Sequence, residues 1–374
     1  MNQKHRPYIV LFMLSLLFLA GCGKPTGNQP TGNVVVEKEK PVVKIGASLS
    51  LTGGSAFMGE GMRNAMELAI HNLGPTKYKY ELVFEDDAMN PKMAADASQK
   101  LITIDHVDAI LSLSSGTGNV VSQFTQPNKV IHFGVASDPT VAEGEYNFIH
   151  WTPPEEETRA LISELERRNL HNVAFISFNQ QGEKAIMNDF SHRVEGTEIS
   201  VVSTKIFNNG EKDFKTYLLQ IEEERPDVIV VLAFSPEIEI IMKQIKELDI
   251  DTPVTSIEAV EFSEQPELFE GVWYIQAADP TDTFLADYVS TYGKQPAPGT
   301  ANAYDEVNMI VAGFERAGKN PLKKPSTAEV VAELHKIKDF PGALGPLTVP
   351  ESGIVLSHAV VRMVKDGKFV TIKP

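Results

Sequence analysis

From Val42 onward, short apolar runs recur along the chain, each followed by a longer stretch whose apolar positions fall three and four residues apart. The short runs, bounded by turn residues, predict buried strands, and the longer spacing predicts amphipathic helices. Strands are expected over residues 43–47, 80–85, 108–113 and 130–135. Between the first two, a helix over 61–73 sets Met62, Ala65, Met66, Ala69 and Leu73 on one face and stops at Gly74-Pro75. Asn90 is expected to cap the next helix, with Pro91 at its first position and Met93, Ala94, Ala97 and Leu101 turned inward. The order then starts again. Strands over 173–178, 199–202 and 228–232 alternate with helices from about Glu183, from Asp213 and over 236–248.

Strands alternating with helices of this length imply parallel sheets covered on both faces. The segment His106-Val107-Asp108-Ala109-Ile110-Leu111 is echoed by Arg225-Pro226-Asp227-Val228-Ile229-Val230, which supports two similar halves. A chain of 374 residues also exceeds one ordinary core and suits two domains. The expected fold is therefore α/β, with two doubly wound, Rossmann-like parallel-sheet lobes.

The chain before Val42 has a different character. Lys4, His5 and Arg6 precede an apolar run from Tyr8 to Ala20 broken only by Ser15, and Leu19-Ala20-Gly21-Cys22 closes it. A basic start, a short apolar core and small residues at a cut read as a secretory signal over 1–21. A spanning helix needs about 20 apolar residues, more than this core supplies. The arrangement resembles a bacterial lipoprotein signal, which implies lipidation of Cys22. Residues 22–40 are poor in apolar content, rich in Gly, Pro, Asn and Thr, and read as a flexible tether. Cys22 is the single cysteine, so no disulfide is expected. A formal net charge of −16 argues against electrostatic binding of nucleic acid or anionic headgroups.

Parallel sheets place ligands beyond the carboxyl ends of their strands, so the residues just after each strand are the candidates. Ser114-Ser115-Gly116-Thr117-Gly118 follows the strand ending at Leu113 and opens a helix. Hydroxyls, free backbone N–H groups and a helix N-terminus make an anion seat there, or equally a capped turn. Val135-Ala136-Ser137 follows the next strand, Phe234-Ser235-Pro236 follows one in the second half, and Glu258 sits among Ile257, Ala259 and Val260. A carboxylate enclosed in a cleft needs a cationic partner, which a ligand ammonium would supply.

Across 42–374 the chain resembles the type I periplasmic binding proteins, in the leucine/isoleucine/valine-binding branch that serves ABC importers. The resemblance rests on Lys44-Ile45-Gly46, Leu51-Thr52-Gly53, Gly59 with Asn64, Leu68 and Ala69, Asp213-Phe214, and Arg225-Pro226-Asp227-Val228. It continues through Tyr304-Asp305, Gly345-Pro346-Leu347-Thr348-Val349, Gly353 and Lys365-Asp366-Gly367-Lys368-Phe369. It implies that an amino acid is held by both ends. Its carboxylate would sit on Ser114 and Ser137, within a loop set that includes Ser115, Thr117 and Ala136. Its ammonium would meet the Val135 carbonyl and Glu258, flanked by Phe234. Phe57 and Met58 in the first loop complete the implied ligand-binding set. Met58 stands where many relatives carry an aromatic, 178–182 lacks a covering tyrosine, and Phe234 replaces a tyrosine. These departures make the cleft more apolar or more open and point to an aliphatic, branched-chain-like or aromatic ligand.

The resemblance further implies three crossings between the lobes, near 150–155, 276–282 and 343–350. Lobe 1 is then expected over 41–152 and 280–345, and lobe 2 over 153–279 and 346–374. No catalytic residue, metal or cofactor is implied. His-Glu-x-x-His spacing and a Gly-x-Ser-x-Gly elbow are both missing, which weighs against a hydrolase. Glu85-Asp86-Asp87 reads as a solvated acidic loop, and His150-Trp151 as packing where the chain crosses. The expected partners are a small-molecule ligand, an ABC permease and the membrane through an N-terminal lipid, with the protein itself a monomer outside the cytoplasm. A sensing receptor for a non-amino-acid solute is the alternative.

Overall fold

The computed structural model describes residues 39–372 apart from 209 and 264. The signal segment, Cys22 and the tether up to residue 38 therefore lie outside the described residues.

The first sheet holds five parallel strands: β1 (Val42–Leu49), β2 (Lys79–Asp86), β3 (Ala109–Leu113), β4 (Ile131–Val135) and β5 (Asn147–Ile149). Their spatial order is β2-β1-β3-β4-β5. Helices α1 (Ala56–His71), α2 (Pro91–Thr103) and α3 (Ser115–Asn128) connect the first four strands. The apolar runs of β1, β3 and β4 are buried almost throughout, as strands covered on both faces must be. On α1, Met62, Ala65, Met66 and Ala69 are buried as the spacing predicts, and Leu73 packs beyond the helix end. Gly59 is required where α1 meets the loop after β1, since a Cβ there would lie 1.9 Å from the Ser50 carbonyl oxygen. Asn90 caps α2, its side chain accepting from the N–H groups of Lys92 at 2.9 Å and Met93 at 3.3 Å. Met93 itself points outward and is 39% exposed, because the first turn of α2 overhangs the sheet edge while Ala94, Ala97 and Leu101 cover it.

The second sheet repeats the plan. Helix α4 (Pro154–Arg168) leads into strands β6 (Asn172–Phe178), β7 (Ser200–Phe207), β8 (Val228–Leu232) and β9 (Val254–Ser256), all parallel and ordered β7-β6-β8-β9. Helices α5 (Gln181–Arg193), α6 (Lys215–Glu223) and α7 (Glu237–Glu247) lie between them. Strand β7 runs on to Phe207, well past the apolar stretch at its start. Its later positions mix polar Ser203, Thr204 and Lys205 with an exposed Ile206, as an edge strand allows, so an apolar run alone marks too short a segment.

The chain then passes back and forth. Strand β10 (Trp273–Ala277) pairs antiparallel with a later strand, and α8 (Asp282–Tyr292), α9 (Thr300–Ala317) and α10 (Thr327–Leu334) follow. Phe284, Tyr288, Val307, Ile310, Phe314 and Leu334 from these helices share the core of the first sheet. A small hairpin, β11 (Phe340–Gly342) with β12 (Gly345–Leu347), precedes β13 (Ala359–Lys365) and β14 (Lys368–Thr371), which join β10 in one antiparallel sheet. Leu347, Val349 and Val355, which the sequence reading assigns to lobe 2, are buried in the first core, because the segment after β12 packs against β5 through a parallel bridge between Ile149 and Ile354. Three passages lie side by side beyond that point. Ser357 Oγ donates to the Trp151 carbonyl at 3.3 Å, and the Ala278 N–H donates to the His358 carbonyl at 3.0 Å. A cavity of about 280 Å³ there is lined by Thr152, Ala277, Ala278, Ser357 and His358 among others.

The acidic run after β2 is not a solvated loop. Asp87 is fully buried and accepts from Ser48 Oγ at 2.7 Å and from the Met89 N–H at 2.8 Å. Asp86 takes the Thr52 hydroxyl at 2.6 Å and the N–H groups of Leu51 and Ala88 at 2.9 and 3.0 Å. Polar backbone left open at a strand end must find partners, and these carboxylates supply them. Among the described residues, no helix is long and apolar enough to cross a membrane, and no group of three or more His, Cys, Asp or Glu could hold a metal ion.

Candidate functional site

Where β3 ends, the chain turns sharply so that Ser114, at φ 79°, can cap α3. Its Oγ accepts from the Thr117 N–H at 3.4 Å, and its own N–H donates to the Val135 carbonyl at 2.9 Å. That carbonyl keeps one lone pair for a further donor. Thr117 is fully buried, and its hydroxyl donates back to the Leu113 carbonyl, so it serves the turn. Ser115 ties the two loops together: its Oγ accepts from the N–H groups of Ser137 at 3.2 Å and Asp138 at 3.1 Å. Ala136 is buried in a small cluster with Val141, Ala142 and Ile149. The outcome is a neutral, hydroxyl-lined pocket wall at the positive end of a helix of 14 residues.

The second sheet reaches this wall through α5. Asn119 Nδ2 donates to Gln181 Oε1 at 3.0 Å. A Cβ at Gly182 would lie 3.3 Å from Ser115 Oγ and 3.6 Å from the Ser137 Cβ. Ser114, Ser115, Val135, Ser137 and the first turn of α5 are thus brought to one place.

Glu258 follows β9 at φ 57°, a conformation that costs a non-glycine residue about 1–2 kcal/mol. Such strain persists where the surroundings fix it. Here the Glu258 N–H donates to the Ile275 carbonyl at 2.8 Å, and the side chain accepts from the Trp151 indole N–H. Glu258 is only 5% exposed, and its second oxygen, Oε1, receives no hydrogen bond. Burial pushes its pKa up to about 7, against the pull of hydrogen bonds with Glu157, Trp151 and Thr152.

Two further carboxyls, which sequence reasoning missed, stand beside it. Glu157 lies in the first turn of α4, wholly buried, with neither oxygen receiving a hydrogen bond. Burial first, and then the charge of Glu258, hold its pKa well above the usual carboxyl range. The pair is satisfied when Glu157 carries a proton and donates it to the Glu258 carboxylate. Glu183, in the first turn of α5, is 7% exposed and is pushed up to about 7 by burial. Among the described residues, no Lys, Arg or His bonds to any of the three. Glu155-Glu156-Glu157 reads in sequence as an ordinary charged helix start, so no local signal singles out Glu157.

The aromatic candidates are placed differently. Phe234 is 39% exposed after β8 and stacks on Phe262, with ring centroids 5.5 Å apart. Phe57 is 49% exposed in the first turn of α1, whereas Met58 packs against the first core. Among the described residues, Phe57 and Phe234 share no ring contact with each other or with Trp151.

Residues 42–368 match the family model described as a periplasmic binding protein. A Leu/Ile/Val-binding protein of Rhizobium johnstonii is 23% identical over 334 residues, covering 85% of this chain and 90% of that protein. Among solved structures, the branched-chain amino acid transporter substrate binding protein of Streptococcus pneumoniae, in complex with isoleucine, aligns with a TM-score of 0.77 at 22% identity. The alignment covers 89% of this chain and all of that one. A solute binding protein of an ABC transporter from Rhodopseudomonas palustris, in complex with 3,4-dihydroxybenzoic acid, aligns with the same TM-score of 0.77 at 19% identity, over 88% and 96% of the two chains.

Proposed function

The chain belongs to the periplasmic binding protein family, and from that premise we propose that it captures an amino acid by both ends between its two parallel sheets and delivers it to an ABC importer permease. The observation that carries this reading is Glu258, buried with one oxygen unpaired, on the sheet that closes against the hydroxyl loop at the start of α3. A zwitterion suits both features: its carboxylate fits Ser114, Ser137 and the helix N-terminus, and its ammonium fits Glu258 and the Val135 carbonyl. Ser115, Thr117 and Ala136 shape the loop, with Phe234, Phe57 and Met58 on the approach to it. Its binding-protein relatives support the reading as a carrier, with no catalytic residue assigned.

The same reading makes 41–152 with 280–355 one lobe and 153–279 with 356–374 the other, the third passage lying beyond Val355 rather than at the 343–350 expected from the sequence. Three parallel passages restrict relative motion to bending, and a ligand touching both lobes selects the closed state. The protein works as a monomer outside the cytoplasm, lipid-anchored at Cys22 and free of nucleic acid. Mass spectrometry of the membrane-extracted protein tests the anchor, since an unmodified Cys22 ends it.

A second reading is favoured by the exposed Phe234–Phe262 stack: a receptor domain for an aromatic acid or another solute without an amine. Calorimetry of the full chain against amino acids, amides, short peptides and benzoates separates the two. Binding confined to solutes without an α-amino group overturns amino-acid capture and leaves solute binding standing.

A further inference from the structure

We infer that the cognate amino acid carries a second positive group, and that Glu157 and Glu183 select for it beside Glu258. This rests on the reading of the interlobe cleft as an amino-acid site. One α-ammonium balances one carboxylate, and Glu258 already supplies that. Glu157 and Glu183 then remain as two more buried carboxyls at the same edge of the second sheet, both in first turns of helices that open toward the cleft. Neither Glu157 nor Oε1 of Glu258 receives a hydrogen bond from the rest of the protein; a proton on Glu157 joins the two carboxyls only to each other. No protein cation among the described residues answers them, and no cluster there could hold a metal ion.

A buried carboxyl kept neutral does only what an amide does. Gln180 and Gln181 open the same helix three and two residues before Glu183, so the fold accommodates amides at this turn. A carboxyl adds the capacity for charge, which is of use where a cation arrives to pair with it. The ligand chemistry is therefore that of a dibasic amino acid, with an ammonium or guanidinium on its side chain. Its carboxylate stays at the α3 loop while both cations face acidic groups. Entry of such a ligand displaces protons from the cluster, because carboxyls held high by burial ionise when a cation comes beside them. Phe234 is exposed and Met58 packs on the first core, whereas the three carboxyls are buried.

The test is calorimetry of the full chain at pH 7 with lysine, arginine and ornithine against leucine, isoleucine and valine, run in phosphate and in Tris to count protons. The expected result is at least tenfold tighter binding of the dibasic set, with net proton release. Glu157→Gln and Glu183→Gln, close in shape to the originals, should each erase tenfold or more of that preference, read as the ratio of affinities for the two sets. Binding of the leucine set in preference to the dibasic set, or an unchanged preference in both variants, overturns the inference and leaves amino-acid capture standing. Binding of neither set overturns both.

Discussion

At their amino-terminal edges the two parallel sheets use the same device. Asp108 and Asp227 each follow a residue in the left-handed region, His106 at φ 55° and Arg225 at φ 51°. Each turns its carboxylate onto the start of the neighbouring strand: Asp108 accepts from the Lys44 N–H at 2.9 Å, and Asp227 from the N–H groups of His171 and Asn172, both at 2.8 Å. The echo read in the sequence is this motif. At their carboxyl edges the sheets part company. Beyond β3 and β4 the first offers hydroxyls and backbone N–H groups at a helix N-terminus, its Asp86 and Asp87 at the end of β2 being taken up by local hydrogen bonds; the second, with α4 and α5, offers three buried carboxyls. Shared architecture sits where the sheets are only built, and divergence sits where they face a ligand. One edge suits an anion and the other suits cations, so a molecule bearing both charges is held only when the two meet.

The sharpest way to break this division is at Glu258. Replacing it with Ala removes the acceptor of the Trp151 indole and leaves a ligand ammonium unpaired, with an expected loss of about 3–5 kcal/mol in amino-acid affinity. Calorimetry reads that as a several-hundred-fold rise in Kd. An unchanged Kd would remove Glu258 from the site.

The next effect is on stability and belongs to the acidic edge alone. Glu183 is held at about 7 in the folded chain against 4.5 in an ordinary setting. The native state therefore binds more protons than the unfolded chain between those values. Its contribution is fully present below pH 4.5 and is lost as pH rises to about 7, a decline of about 3 kcal/mol. Denaturant melts of the ligand-free protein from pH 4.5 to 8 should show at least this fall, and Glu183→Gln should lessen it by about 3 kcal/mol, the remainder belonging to Glu157 and Glu258, which burial also holds high. A slope equal in both proteins would deny Glu183 its place in the acidic edge.

On the neutral edge the effects are smaller and should lack that pH slope. Ser115→Ala takes one acceptor from the N–H groups of Ser137 and Asp138, with an expected cost of about 1–2 kcal/mol in stability that stays constant over the same pH range. At the shared amino-terminal edge, Lys324 reaches Asp108 at 2.6 Å but remains partly exposed, so Lys324→Met should cost no more than about 1 kcal/mol. Asp108→Ala should cost more than that, since it also frees the Lys44 N–H, and equal losses in the two variants would mean that the ion pair, not the strand cap, is what Asp108 supplies.

Much of this was legible in the chain. The alternation of runs gives both sheets, Asn90-Pro91 gives the start of α2, and the Asp108 and Asp227 segments give the common motif. Ser114 and Ser137 are readable because a strand end, a glycine-rich turn and a helix start are adjacent in sequence. The acidic edge is not, because Trp151 with Glu157, Glu183 and Glu258 come from three separate segments joined only by folding. Glu157 and its neighbour Glu156 are the same residue type on the same helix turn, and burial alone separates them. Asp87 reads in sequence as solvated for the same reason: its partner Ser48 lies on the adjacent strand, far back in the sequence.

The hydrogen bond from Trp151 to Glu258 has an optical consequence. The chain has two tryptophans. One donates its indole N–H to the carboxylate at the proposed ammonium site, and the other, Trp273, is buried beneath the Arg168 guanidinium at 4.7 Å, in the core of the second sheet. An indole's emission follows the charge next to its ring, so Trp151 should change colour when the neighbouring carboxylate gains or loses a counter-charge, while Trp273 holds constant as an internal standard. The protein thus carries its own fluorimeter, with probe and reference already installed.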